Sequence, residues 1–193
     1  MKRLFTAIKI TPDKEFTDHF HRLQAQLNHE KIKWVEDTNI HITLKFFGET
    51  EERKLAEIIT VLKSVSDKTT IFRFRLNSLG IFGSRYDPRV IWTGIEPYKP
   101  LVDLMSLLWE ELKSIGYMPD RQNLVPHLTL GRIKFLSDKI NFQQVIDENK
   151  GIRSAILIAE NCILYESILR REGPVYLGLQ SFPFKNPAGS ERT

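Results

Sequence analysis

Apolar residues recur with two different periods along the first part of the chain. Residues 4–10 are mainly apolar and β-prone, which predicts a strand. Thr11 and Pro12 then suit the N-cap and first position of a helix that ends near residue 28. The apolar positions of this helix follow a 3.6-residue period: Phe16, Phe20, Leu23 and Leu27.

A stretch at residues 39–48 alternates between apolar and polar side chains from Ile40 to Phe46, so it predicts a half-buried strand that ends at Gly48. The residues expected to face the core are Ile40, Ile42, Leu44 and Phe46. The residues expected to share the opposite face are His41, Thr43 and Lys45. Side chains on one face are about 7 Å apart along a strand, so an imidazole and a hydroxyl can reach one small ligand.

The following segments continue the alternation of helices and strands. Thr50 is the expected N-cap of a second helix, and residues 71–76 predict a strand. Residues 80–88 predict a loop, which leads into a strand at 89–94. The elements expected further along are a helix from Pro100 to its terminator Gly116, a turn-rich stretch at 119–123, a strand at His127, a helix capped by Ser137, a β-prone run at 155–169 bent near 160–161, a strand at 175–179 and a frayed tail at 186–193.

The order of predicted elements repeats. Strand, helix, His-x-Thr strand, helix and strand occur over residues 4–76 and again over residues 89–169, with a closing strand at 175–179. Such repetition predicts two pseudo-symmetric lobes. No Gly-, Ser- or Pro-rich linker separates them, so residues 1–193 are expected to form a single bilobal domain.

Composition excludes some classes of protein. Of the 193 residues, 41% are hydrophobic and 27% charged, which is ordinary for a globular protein. No apolar run approaches the roughly 18 residues of a membrane span. Lys9 interrupts the first apolar stretch, which favours a strand over a signal peptide. The lone Cys162 permits no internal disulfide, suits the cytoplasm and is expected to be a small buried side chain.

Net charge adds only a mild preference. The chain carries a formal charge of +4, which favours an anionic partner without identifying a nucleic acid.

Two His-x-Thr strands suit chemistry at phosphorus. In-line displacement needs a base at the nucleophile and an acid at the leaving oxygen, and imidazole serves both roles near neutral pH. His41 and His127 can flank a phosphate while Thr43 and Thr129 donate hydrogen bonds to its oxygens. Packing alone requires neither residue type at matched positions.

Arg132 could add a charge-assisted contact to the phosphate. A regular strand would turn it away from His127, five positions earlier. Either Gly131 forms a bulge or the strand ends there and the side chain curls back.

The other three histidines lack a catalytic or metal-binding pattern. His19, His21 and His29 lie on or just after the first helix, and we expect them to face solvent. A zinc site built from His41 and His127 would lack an evident third ligand.

These motifs resemble those of a known superfamily. His41-Ile42-Thr43-Leu44 and His127-Leu128-Thr129-Leu130 are similar to the paired motifs of the 2H phosphoesterases. Within that superfamily the chain most resembles the RNA 2′,3′-cyclic phosphodiesterases, also called 2′-5′ RNA ligases. The flanking segments that share the resemblance are Arg3-Leu4-Phe5, Leu44-Lys45-Phe46-Phe47-Gly48, Arg89-Val90-Ile91-Trp92 and Gly173-Pro174-Val175-Tyr176.

The resemblance implies an α+β, bilobal 2H phosphoesterase fold with antiparallel sheets around a central cleft and helices outside. It implies hydrolysis of an RNA 2′,3′-cyclic phosphate end to a 2′-phosphomonoester, without a metal or cofactor, by a cytoplasmic monomer. His41 would be the proton donor and His127 the acceptor, while Thr43, Thr129 and Arg132 would hold the phosphate. Some members also join RNA ends through a 2′-5′ linkage.

Two other functions stay open at this point. One is a non-catalytic nucleotide- or RNA-binding module that uses the same cleft. The other is a phosphodiesterase for 2′-5′ oligonucleotides or small cyclic phosphates, with substrate choice set by loops such as residues 83–88, where Arg85 and Tyr86 could meet a base or backbone.

Overall fold

A computed structural model describes residues 1–84, 86–118, 126–170 and 173–187 of the protein. Within these ranges the elements in chain order are β1 (Lys2–Lys9), α1 (Lys14–Gln26), β2 (Lys31–Trp34), β3 (His41–Thr50), α2 (Glu52–Lys68), β4 (Phe72–Gly83), β5 (Pro88–Glu96), α3 (Lys99–Lys113), β6 (Leu128–Phe135), α4 (Lys139–Glu148), β7 (Leu157–Ala159), β8 (Asn161–Leu169) and β9 (Pro174–Pro183). The predicted turns at 119–123, Arg85 and the tail beyond residue 187 lie outside the described residues.

The strands form two antiparallel sheets. One has the order β3-β1-β8-β9, and the other has the order β2-β6-β5-β4-β7. The expected α+β architecture is therefore confirmed. The halves of the chain exchange strands, because β4 pairs with β5 in the second sheet and β8 pairs with β1 in the first. The predicted bend lies at Glu160, where the chain leaves one sheet and enters the other.

Helices pack in pairs outside the sheets. α2 lies against α3 and contacts β8 and β9 of the first sheet. α1 and α4 are joined by a pair of hydrogen bonds: His19 Nε2 to Asn149 Oδ1 at 2.8 Å, and Asn149 Nδ2 to Gln26 Oε1 at 2.9 Å. Phe20 of α1 meets the Trp34 ring of β2 edge-on. The predicted apolar stripes of the helices supply much of the core, including Phe16, Phe20, Leu62, Leu108 and Phe142.

Three predicted N-caps are wrong, each by one or two residues. Asp13, rather than Thr11, caps α1 by accepting a hydrogen bond from Phe16 N, and Asp138, rather than Ser137, caps α4. Glu51 precedes α2 without a side-chain cap, while Thr50 donates instead to the carbonyl of Gly48 at the end of β3. In each case the chain stays extended beyond the predicted start of the helix.

One strand is longer than the sequence predicts, and another strand was not predicted. β4 continues to Gly83, so most of the predicted loop at 80–88 belongs to a hairpin with β5. β2 was not predicted, because four residues are too few for a clear period. The expected left-handed terminator of α3 is confirmed, since Gly116 has φ +86° and its N–H bonds to the carbonyl of Lys113.

Candidate active site

The two sheets meet at a cleft of about 430 Å³. β3 and β6 come into contact there. The cleft is lined by all five predicted site residues: His41, Thr43, His127, Thr129 and Arg132. The sequence repeat therefore identified groups that are far apart in the chain and close in space.

A β-bulge shapes the first motif strand. Ala7 of β1 pairs with Thr43 and Thr6 pairs with Lys45, so Leu44 is the extra residue. The bulge reverses the expected alternation after Thr43. Lys45, expected beside His41, is only 5% exposed, whereas Phe46, expected in the core, lines the cleft and is 43% exposed. That part of the strand prediction is wrong for this reason.

The second motif strand has the matching bulge. Trp92 of β5 pairs with Thr129 and Ile91 pairs with Gly131, which leaves Leu130 as the extra residue. This bulge turns Arg132 back to the cleft face, as one of the two sequence interpretations required, although the extra residue is Leu130 rather than Gly131. Phe46 and Arg132 therefore occupy corresponding positions after the two His-x-Thr motifs.

The His41 ring is fixed by a hydrogen bond and two aromatic rings. Its Nδ1 lies 2.6 Å from the carbonyl oxygen of Asn39, so this nitrogen carries a proton and donates it. Nε2 is then the nitrogen left for substrate. The rings of Phe5 and Tyr176 pack against the imidazole, with centroids 5.2 and 5.3 Å away.

This environment makes His41 a stronger acid than free imidazole. Burial lowers the pKa of His41 below its usual 6.5, and the hydrogen bond to Asn39 opposes that shift. The positive charge of Arg132 lowers the pKa further. A bound anionic phosphate would favour the protonated ring and so reverse part of the shift.

A different set of aromatic rings holds His127. The Phe82 ring lies edge-to-face with the His127 imidazole, with ring centroids 4.6 Å apart. Trp92 stacks on Phe82, and its ring centroid lies 6.4 Å from that of His127. The Trp92 ring lies over Gly80, where a Cβ would come within 2.4 Å of it. The sequence prediction missed this arrangement because Gly80 and Phe82 fell in the predicted loop.

Further cleft residues were also missed as site residues. The guanidinium carbon of Arg3 lies 5.0 Å from the centre of the Phe46 ring, and both side chains line the cleft with Tyr176. Burial raises the pKa of Tyr176, while the charges of Arg132 and Arg3 oppose the rise. The available signal was that Arg3, Phe46 and Tyr176 lie in the flanking segments that resemble the phosphodiesterases.

The other titratable candidates lie away from the cleft. His21 pairs with Asp37 at the surface and His29 is exposed, as expected, whereas His19 is half-buried between α1 and α4. Cys162 is buried, as expected, and burial raises its pKa to about 11. In the part of the chain that the structure describes, no three His, Cys, Asp or Glu residues cluster as a metal site.

The cleft contains the groups required for acid–base chemistry on a phosphate ester. Two imidazoles can move protons, and hydroxyl and guanidinium donors can bind phosphate oxygens. This site within a pair of antiparallel sheets is characteristic of a phosphoesterase.

Comparison with known proteins identifies the family. Residues 10–92 match the family described as LigT-like phosphoesterase. The chain is 34% identical over 174 residues to the RNA 2′,3′-cyclic phosphodiesterase of Methanocaldococcus jannaschii, covering 90% of this chain and 96% of that protein. It is 31% identical over 182 residues to the enzyme of the same name from Methanothermobacter thermautotrophicus, covering 93% and 97%. The chain belongs to this family of 2H phosphoesterases.

Solved structures share the fold. A protein from Thermus thermophilus superposes with a TM-score of 0.76 at 24% identity, and E. coli LigT, in a complex with 3′-AMP, superposes with a TM-score of 0.72 at 20% identity. Each comparison covers 95% of this chain and 98% of the other. Across the described ranges, none of the helices has the length and apolar character needed to cross a membrane.

Proposed function

We propose that this protein hydrolyses RNA 2′,3′-cyclic phosphate ends to 2′-phosphomonoesters without a metal. The observation that carries the proposal is the meeting of both His-x-Thr motifs and Arg132 in one cleft of a LigT-like phosphoesterase. The homologues named RNA 2′,3′-cyclic phosphodiesterase support the choice of substrate. The exposed ring of Phe46 offers a surface on which a nucleobase can stack.

In the proposed reaction, a water oxygen attacks phosphorus and the bond from phosphorus to the 3′ oxygen breaks. His127 accepts the proton of the water, and His41 donates a proton to the leaving 3′ oxygen. Thr43, Thr129 and Arg132 bind the remaining phosphate oxygens as negative charge develops. The products are a 2′-phosphomonoester and a free 3′ hydroxyl. The same transfers with an RNA 5′ hydroxyl in place of water would give a 2′-5′ linkage and a free 3′ hydroxyl, and their reversal would regenerate the cyclic phosphate.

Both motifs come from the same chain, so the proposal needs one copy of the protein. We therefore propose a monomer in which residues 1–193 act as a single bilobal domain. We also propose a cytoplasmic location, because the single cysteine is a buried thiol, as suits a reducing compartment.

The test is incubation of the purified protein with a 2′,3′-cyclic-ended oligoribonucleotide in excess chelator, followed by identification of the product. We expect a 2′-phosphate end. A 3′-phosphate product would mean that the 2′ oxygen leaves, and turnover lost in chelator but restored by zinc would contradict the metal-free mechanism. A 2′-5′ linked oligonucleotide, tested in parallel, distinguishes the alternative phosphodiesterase activity.

The position of His41 predicts a measurable titration. We expect its imidazole to titrate below pH 6.5 in the free protein, because burial and Arg132 disfavour the charged ring. In Arg132→Gln the pKa of His41 should rise, because the positive charge of Arg132, one of the two influences that lower this pKa, is removed. Adding inorganic phosphate to the wild-type protein should also raise it. Histidine ring signals in NMR, followed against pH, measure all three.

An ordinary or elevated pKa for His41 in the free protein would contradict this account. So would a fall of the pKa in Arg132→Gln.

A further inference from the structure

Several lysines of the outer helices pair with acids, whereas three cations beside the cleft do not pair with any acid in the described ranges. On the outer helices, lysines lie close to carboxylates one turn away, as in Lys14–Asp18 at 2.6 Å, Lys63–Asp67 at 2.5 Å and Lys99–Asp103 at 2.7 Å. Beside the cleft, by contrast, Arg132, Lys33 and Lys31 form no ion pair with any residue that the structure describes. These three cations without an ion pair to a described residue lie close together on neighbouring strands beside the cleft.

These three cations form a row that begins in the active site. Lys33 of β2 is the direct cross-strand partner of Arg132 of β6, so both side chains project from the same face of the sheet. Lys31 lies two residues before Lys33 in β2 and is exposed on that same face. Ile32 and Trp34, which alternate with them, turn towards the core. Lys31 lies roughly 8 Å from Arg132, the diagonal of one strand spacing and one two-residue repeat.

The Lys33 ammonium group lies at the rim of the cleft. A Cβ built on Gly173 would be 3.6 Å from Lys33 Nζ, which places the ammonium against the backbone beside the cleft-lining Pro174. Lys31 Nζ lies 5.8 Å from the centre of the Phe135 ring, which is 57% exposed. The row thus ends on an exposed aromatic ring that a nucleobase could stack on.

Like charges directly opposite each other on neighbouring strands destabilise a sheet unless something neutralises them. Two acidic residues that flank β2 in the chain, Glu30 and Asp37, are engaged elsewhere. Glu30 is buried and accepts hydrogen bonds from the backbone N–H groups of Ser137 and Asp138, and Asp37 pairs with His21. An external anion would neutralise the paired charges of Lys33 and Arg132.

We propose that Lys33 and Lys31 bind the phosphodiester backbone of the RNA on the 5′ side of its cyclic end. The inference rests on the proposed function, because Arg132 at the start of the row is taken to hold the reacting phosphate. It deepens that function by making the preferred substrate an RNA strand rather than a cyclic mononucleotide. The next phosphates of the strand lie over β2, and this contact is electrostatic and independent of base sequence.

The test compares two substrates and two charge-matched variants. The substrates are a 2′,3′-cyclic mononucleotide and a ten-residue oligoribonucleotide with a 2′,3′-cyclic end. The variants are Lys31→Gln/Lys33→Gln and, as a control with the same loss of two charges, Lys63→Gln/Lys99→Gln on α2 and α3. kcat/KM is measured for each pair at several salt concentrations.

For Lys31→Gln/Lys33→Gln we expect the ratio of oligonucleotide to mononucleotide kcat/KM to fall about tenfold, since two phosphate contacts are lost. The salt dependence for the oligonucleotide should also flatten by about 1.4 in log–log slope. The control should keep the wild-type ratio. A ratio that is unchanged in the β2 variant, or reduced equally in the control, overturns the proposal.

Failure of the proposed function gives a different result. Wild-type protein would then turn over neither substrate, whereas failure of the β2 path alone leaves both substrates turned over. Even without turnover, fluorescence anisotropy with the same labelled oligonucleotide decides the point, because wild-type protein must bind more tightly than Lys31→Gln/Lys33→Gln.

Discussion

Replacing either cleft histidine by alanine is expected to lower kcat on a cyclic-ended oligoribonucleotide by about 10²–10⁴-fold, the usual contribution of a positioned acid or base. His41→Ala removes the donor to the leaving 3′ oxygen, and His127→Ala removes the acceptor for the water proton. The double variant should lose far less than the product of the two single losses, because the residues act as a unit. Rapid-quench measurement of product formation checks all three variants.

His21→Ala is the matched control for both variants. It removes an exposed histidine that pairs with Asp37 outside the cleft, so turnover should stay near the wild-type rate. Thermal unfolding of each variant separates lost chemistry from lost structure. A folded His41→Ala or His127→Ala protein with an unchanged rate would exclude that residue from proton transfer, whereas binding without turnover in the wild-type protein would favour a binding module.

The second large effect is expected at Arg132. Arg132→Met should lower kcat/KM by about 10²–10³-fold, the range seen when one donor to a developing oxyanion is removed. Arg132→Lys should recover part of the loss, because it keeps the charge but cannot form a bidentate contact. Steady-state kinetics on the cyclic mononucleotide isolate this effect from contacts made by the rest of an RNA strand.

Lys134→Met provides the comparison for Arg132→Met. Lys134 is an exposed cation on the same strand and does not line the cleft, so its removal changes net charge by the same amount. A loss in Lys134→Met equal to that in Arg132→Met would indicate a general charge effect. That outcome would remove Arg132 from direct contact with the phosphate.

The sequence predicted the site better than it predicted the strand that presents it. Alternation from Ile40 to Thr43 correctly predicted which side chains share a face. It failed at Lys45 and Phe46, because a bulge adds one residue, whereas a two-residue period assumes a strand without inserted residues. At Arg132 a bulge was one of two interpretations, since only that geometry or a curled chain end would bring the guanidinium to the histidines.

Other features depend on contacts that a local pattern does not encode. The edge-to-face contact of Phe82 with His127 requires β4 to lie beside β5, and the four residues of β2 become a strand only by pairing with β6. The helices were predicted well because each carries its own apolar stripe. The caps of α1 and α4 were not, since the chain entering these helices makes tertiary contacts: Asp13 accepts a hydrogen bond from Ala155 N, and Glu30 accepts from Ser137 N and Asp138 N.

The exchange of strands between the two halves has a consequence for how the protein is made. β1, which packs beside the His41 strand, finds its second neighbour only in β8, about 160 residues later in synthesis. Pairings so distant in sequence form late, because loop closure precedes the contacts that stabilise them. The first sheet is therefore completed only after the second motif has left the ribosome. A chain interrupted before β8 has every strand of the second sheet but lacks β8 and β9 of the first, so the cleft around the two histidines stays unfinished.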